Sequence, residues 1–261
     1  PRLTPAVPRE SLRLSAPRRH DAFCRELERV LKIGQVAYDD EQRLLHSYGK
    51  SYPDLFYVRR GIVRRAPDAV VFPEDHAEVE MIVRLACAHG VCLIPFGGGT
   101  NIVGGVNPRD WDGMIVTVSL SRMARLLSLD PLSGTAVIEA GALGPKLEDD
   151  LQAKGFSLGH YPDSFEYSSL GGWVATRSAG MQSDAYGKIE EMVVALKMVT
   201  SAGTLTTIAV PASSAGPDLN RLVAGSEGTL GIITQCTMRV HQTPAVKDYR
   251  GFLFPSFPRG F

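Results

Sequence analysis

The chain has 261 residues, 44% of them apolar, with 28 Lys and Arg set against 28 Asp and Glu. That balance describes a folded globular protein with no net basic field for a nucleic acid, and no nucleic-acid partner is expected. No apolar run approaches the ~20 residues of a membrane span.

The first twenty residues are arginine-rich and proline-punctuated, without the apolar stretch of a secretory signal. They read as a basic arm with little reason to fold alone. Arg13-Leu14 and His20 approach an N-terminal peroxisomal address, but Asp21 stands where an apolar residue is wanted. Residues 1–66 are expected to form this arm and a helical extension, with one helix over Asp21–Lys32 and partly helical structure over Tyr38–Tyr52. Arg59-Arg60 and Arg64-Arg65 read as a solvated basic edge, or as an anion contact.

From Pro67 the pattern tightens. Ala69–Phe72 is strand-like, and Asp75 with Glu78 makes a D-x-x-E capping box that opens a helix ended by Gly90. Val91–Ile94 follows at once, so this is a strand–helix–strand unit with expected parallel pairing. Its second strand empties into Pro95-Phe96-Gly97-Gly98-Gly99-Thr100-Asn101. Three glycines there bring bare N–H groups together as an anion nest, at the carboxyl end of a strand where open α/β sheets bind ligands. A tight turn with spare glycines is the alternative for the loop alone.

Downstream, Met114–Val118 reads as a strand, and Met123–Leu129 pairs with Thr135–Glu139 around a turn. Leu147–Lys154 is a short helix stopped by Gly155. The polar, glycine-rich stretch 159–187 is too long for a plain connector, as functional segments often are. Strands follow over Met192–Thr200, Thr204–Ile208 and Ile232–Val240, with a helix at Leu219–Ala224 and a strand-like Tyr249–Phe254. Cys24, Cys87, Cys92 and Cys236 show no C-x-x-C spacing, and Cys87 and Cys92 sit in apolar patterns. Buried thiols in a reducing compartment are expected.

Three glycine clusters, at 97–99, 171–172 and 225–231, could all touch one extended dinucleotide. The loop lacks the G-x-G-x-x-G spacing of a Rossmann site and the G-K-[ST] of a Walker loop. Six scattered histidines offer no metal-ligand pair, so no metal is expected. Gly225-Ser226-Glu227-Gly228 misses the spacing of a hydrolase nucleophile elbow. His160, in Gly159-His160-Tyr161-Pro162-Asp163, is the one histidine in a motif-dense loop and the candidate catalytic residue.

Pro95–Asn101, Gly159-His160 with Pro162-Asp163-Ser164, Gly171-Gly172-Trp173, Thr176-Arg177-Ser178, Tyr186-Gly187 with Ile189-Glu190, and Gly225–Gly231 occur in an order and spacing that resemble the FAD-binding domain of the vanillyl-alcohol-oxidase/PCMH flavoproteins. Within that superfamily the likeness is to the alkyldihydroxyacetonephosphate synthases. The hydroxy-acid dehydrogenase branch usually carries Gly-Gly-Asn where this chain has Gly171-Gly172-Trp173.

The resemblance implies an α+β fold: a PCMH-type FAD-binding domain over 67–242, built of two α/β subdomains at about 67–120 and 121–242. Residues 243–261 would begin a cap domain that is otherwise missing, and with it most of the catalytic set. The cofactor implied is non-covalent FAD, because Thr100 stands where covalently flavinylated relatives place a His. Pro95–Asn101 would hold the diphosphate. Asp163-Ser164-Phe165-Glu166-Tyr167-Ser168-Ser169 and Thr176-Arg177-Ser178-Ala179 would line the flavin and ribityl side. Glu227-Gly228-Thr229-Leu230-Gly231-Ile232-Ile233 would clasp the adenine half.

The implied reaction exchanges the acyl group of acyl-dihydroxyacetone phosphate for a fatty alcohol by covalent catalysis at flavin N5, without net oxidation. These two substrates, a peripheral membrane contact of the full-length protein and a homodimer are the partner expectations. The location expected is cytoplasmic, with a peroxisomal one as alternative. The competing readings are an FAD-dependent lactate or glycolate dehydrogenase or oxidase, a flavin-binding module without catalysis of its own, and a glycine-rich α/β protein with no cofactor.

Overall fold

The fold, taken from a computed structural model that describes residues 5–8 and 11–260, is built on two sheets. The first has the order β1-β2-β4-β3, from Val36–Ala37, Ala69–Val71, Ile115–Ser119 and Cys92–Phe96. The second has the order β5-β6-β10-β8-β9, from Leu126–Asp130, Thr135–Glu139, Ile232–Arg239, Val193–Thr200 and Gly203–Thr206, all antiparallel. A small third pair joins β7 (Phe156–Ser157) to β11 (His241–Gln242). The α+β expectation therefore holds, with the parallel strands confined to the first sheet.

That sheet corrects one expectation. β2 and β3 run parallel, yet they do not pair, because β4 lies between them and bonds to both. Its five residues are all buried, as suits a central strand covered on both faces.

Nine α-helices are assigned among the described residues. Helix α1 (Asp21–Val30) buries Phe23, Cys24 and Leu27 and packs on α4 (His76–His89). Asp75 caps α4 as expected, its side chain accepting from Glu78 N. The capping box is only half formed. The Glu78 carboxylate passes over Asp75 to accept from Glu74 N at 2.7 Å and from Gln35 Nε2 at 2.6 Å, tying the helix start to the N-terminal extension. His76, in the first turn, is hydrogen-bonded with Thr234 on β10 and Thr204 on β9, so α4 couples the two sheets.

The arm is not loose where it is described. Arg18 N donates to Asp68 Oδ1 and Val7 N to Arg59 O. Asp68, fully buried, also accepts from both terminal nitrogens of Arg65 and from Ile115 N. Arg43 is almost wholly buried and spans Pro67 O, Ser15 O and Asp40. Of the four basic positions at 59–65, Arg60 lies over the Phe56 ring and Arg64 over Tyr57, while Arg65 forms the buried ion pair.

Other differences are local. Helix α2 (Asp40–Leu45) and α3 (Tyr52–Arg59) precede the first long strand, and α5 (Gly144–Gln152) starts three residues before the apolar pattern does. The stretch 159–187 is not irregular throughout. It holds α6 (Leu170–Thr176) and α7 (Ser183–Tyr186), the former hidden from periodicity by Gly171-Gly172. Helices α8 (Ile189–Met192) and α9 (Leu219–Val223) complete the set. Tyr249–Phe254 forms no strand, since no neighbouring edge pairs with it. All four cysteines are free, but Cys87 is exposed and Cys92 only half-buried: Cys87 falls on the outer face of α4.

Candidate cofactor cleft

The glycine loop leaves β3 and is pressed against the segment 167–169. A Cβ on Gly98 would overlap the Tyr167 carbonyl, and one on Gly97 the Ser169 hydroxyl. Only bare backbone fits between them. No backbone carbonyl among the described residues accepts from the N–H groups of Gly97, Gly98, Gly99 or Thr100. These four donors are left for something else to satisfy.

Their residues line a cleft of about 580 Å³, in the size range of small-molecule and cofactor sites. All seven residues of Pro95–Asn101 line it. So do Asp163, Ser164, Ser168, Ser169, Thr176, Ser178, Glu227, Gly228, Gly231 and Ile233. The three glycine clusters, far apart in sequence, thus form the walls of one groove.

Helix α6 is the rear wall. Ser169 caps it, and its Gly171 packs so closely on Ala140 that a Cβ would not fit. Trp173 is buried, stacks on Phe165 and donates from Nε1 to Ser168 Oγ at 2.6 Å. At the end of α6, Arg177 takes φ 50 and its guanidinium donates to the carbonyls of Ala224 and Arg221. Glu227, at φ 51, donates its N–H to Ala175 O. These are the two non-glycine residues with positive φ among the described residues, and both join α6 to the last glycine turn, where surrounding bonds hold the strained backbone.

A family model described as an FAD binding domain matches residues 67–209, more than half the chain, and those residues hold the glycine loop, α6 and most of the groove. The chain belongs to this FAD-binding domain family. Its cofactor is FAD. The chain is 43% identical over 99% of its length to the alkyldihydroxyacetonephosphate synthase of Trypanosoma brucei brucei, and 46% identical over 97% to that of Dictyostelium discoideum. A solved alkyldihydroxyacetonephosphate synthase, in its P212121 crystal form, superposes on 93% of the chain with a TM-score of 0.90 at 44% identity. The chain spans only 43% and 42% of the two relatives and 44% of that structure.

The groove of the FAD-binding domain fits a dinucleotide: free N–H donors at one end, glycines where backbone must approach, and hydroxyls from Ser164, Ser168, Thr176 and Ser178 along the walls. Eight of the residues predicted to bind the cofactor lie outside the groove lining. Phe165, Glu166, Tyr167, Arg177, Ala179, Thr229, Leu230 and Ile232 support it from behind or flank it. Conversely, Ile102, Val103, Gly105, Val106 and Leu120 line it without having been singled out. Ile102 and Val103 are exposed apolar residues directly after the loop, and that exposure is visible only in three dimensions.

His160 is not in the lining. It is 1% exposed, its ring meets Trp173 edge-on, and Nε2 lies 2.6 Å from Ser178 Oγ. Nδ1 is buried with no partner. Burial pushes the imidazole down to about 4, so it is neutral at physiological pH. It reaches the cleft only through Ser178.

Proposed function

We propose that this chain is the FAD-binding part of a flavoenzyme that exchanges the acyl group of acyl-dihydroxyacetone phosphate for a fatty alcohol. The observation that carries the cofactor placement is the set of unpaired N–H groups on Gly97–Thr100, four residues that all line the groove. Those amides hold the diphosphate. Ser164, Ser168 and Ser178 face the flavin side, and Glu227, Gly228 and Gly231 the adenine half. His160 holds the Ser178 hydroxyl in one orientation toward the groove. Bound FAD supplies the reactive flavin ring; the chain positions it and excludes water behind it. With Thr100 after the glycines, the flavin is dissociable.

The choice of reaction is supported by the identity to two synthases over nearly the whole chain. The test uses the protein with whatever residues flank this chain in its natural reading frame. Incubation with acyl-dihydroxyacetone phosphate and a labelled fatty alcohol should give labelled ether lipid precursor and free fatty acid. Anaerobic bleaching of the flavin by D-lactate or glycolate, with no exchange, would overturn the proposal in favour of a dehydrogenase. Acid precipitation should leave all flavin in the supernatant.

A further inference from the structure

The far end of the glycine loop is not held by the family-matched region alone. Asn101 O accepts the N–H of Lys50 at 2.7 Å. Beside it, Gly49 lies so close that a Cβ would overlap the Asn101 carbonyl. Gly49 N donates to Asn107 Oδ1 at 3.2 Å, and Asn107 Nδ2 donates to Asp54 Oδ1 at 2.7 Å. Asp54 is buried at the start of α3, where its second oxygen accepts from Ser51 Oγ at 2.7 Å. Asn101 then folds the next turn, its Oδ1 accepting from Val103 N and Gly105 N.

We propose that Gly49, Asp54 and Asn107 are positioning residues for FAD: a strut from the N-terminal extension that sets the curvature of the loop holding the diphosphate. Residues 49–54 lie outside the 67–209 match, so this element is an addition to the family-matched core. The proposal rests on the reading that Gly97–Thr100 holds the diphosphate.

A nest binds an anion only if its N–H groups converge, and convergence is set by the dihedral angles at both ends of the loop. The β3 end is fixed by the ladder with β4. The other end has no strand to continue into, since residues 97–114 form no regular element. Its position is held instead by the Lys50 N–H on Asn101 O, by the Gly49–Asn107 bond beside it, and by the bond from Asn101 Nδ2 to Glu227. The Asp54–Asn107 pair is charge-assisted and largely out of water, where such a bond is stronger than a neutral one.

The pair can be exchanged without changing its geometry, which makes the test specific. In N107D, two carboxylates face each other across the strut. In the swap D54N/N107D, the amide now at position 54 donates to the carboxylate now at position 107. That carboxylate still accepts from Gly49 N, and the amide oxygen still accepts from Ser51 Oγ. FAD affinity of the purified chain is read by quenching of flavin fluorescence, together with visible circular dichroism of the bound flavin and the melting temperature of the apoprotein. N107D is expected to weaken FAD binding at least about tenfold and to change the dichroism. The swap is expected to return affinity to within about threefold of wild type. Gly49→Ala, which reaches Asn101 by a separate contact, should reproduce the loss.

Wild-type affinity in N107D, or in G49A, would overturn the strut. So would a loss in N107D that the swap does not restore, or a loss accompanied by an equal drop in apoprotein melting temperature in every variant. Wild-type protein that takes up no FAD would overturn the diphosphate reading itself, a result distinguishable from all of these.

Discussion

Asn101 Nδ2 donates to Glu227 Oε2 at 3.1 Å, joining the first and last glycine-rich loops across 126 residues of sequence. The bond closes one end of the groove, and Glu227 makes it from a left-handed backbone conformation that a bond from its own N–H to Ala175 O helps to hold. Glu227→Ala should weaken FAD binding by about tenfold, the value of one charge-assisted hydrogen bond. Glu227→Gln, which keeps an acceptor oxygen, should lose much less. Fluorescence titration of both variants with FAD checks this.

Gly98 offers a second test, for a reason the sequence pattern did not contain. An added Cβ would meet the Tyr167 carbonyl behind the loop and not only the ligand in front of it. Gly98→Ala should therefore displace the loop from 167–169, abolish FAD retention on gel filtration and lower the melting temperature even without FAD. Unchanged apoprotein stability would show that the loop yields at that point.

Acid should destabilise the protein through His160. Its imidazole titrates at about 4 when folded, against ~6.5 for a free histidine, so the unfolded chain binds the extra proton between those values. The contribution is complete above pH ~6.5 and is lost as pH falls toward 4, up to about 3 kcal/mol at the acid limit. His160→Asn should flatten that part of the pH profile of urea unfolding. A profile of unchanged slope in the variant would assign the acid sensitivity elsewhere.

Asp68 gathers four donors at a site with no solvent exposure: Arg65 Nη1 and Nη2, Arg18 N and Ile115 N. Asp68→Ala leaves the Arg65 guanidinium buried without its partner and should cost about 3–5 kcal/mol. Urea denaturation measures the loss. Asp68→Asn, which retains acceptors but not the charge, should fall between alanine and wild type.

Much of this was legible in the sequence wherever a local rule and the tertiary environment agreed. Asp75 and Gly90 bracket α4 because capping and left-handed termination act within a few residues. The turn at 130–134 set the β5–β6 hairpin for the same reason. Where the deciding interaction was distant, pattern reading stopped. Nothing between Val91 and Ile94 shows that β4 will intervene, because strand neighbours are chosen by packing across the whole sheet. Gly171 and Gly172 argue against a helix locally, yet Ala140 leaves no room for a side chain at the first of them. The N-terminal contacts to Asn101 carry no motif, being backbone contacts made by Gly49 and Lys50 through position alone.

The insertion of β4 between β2 and β3 sets an order of assembly. The glycine loop is synthesised before the strand that gives β3 its only ladder among the described residues, and β2 and β3 have no bonds to each other. As the chain emerges from a ribosome, β1 and β2 have each other as partners, but β3 must wait for residues 115–119, and Asp68 waits with it for Ile115 N. The ligand-binding loop is thus shaped late by contacts of long sequence separation, the kind that slow folding by closing large loops before they are rewarded. A nascent chain halted before residue 115 holds all the glycines of that loop and no strand for β3 to pair with.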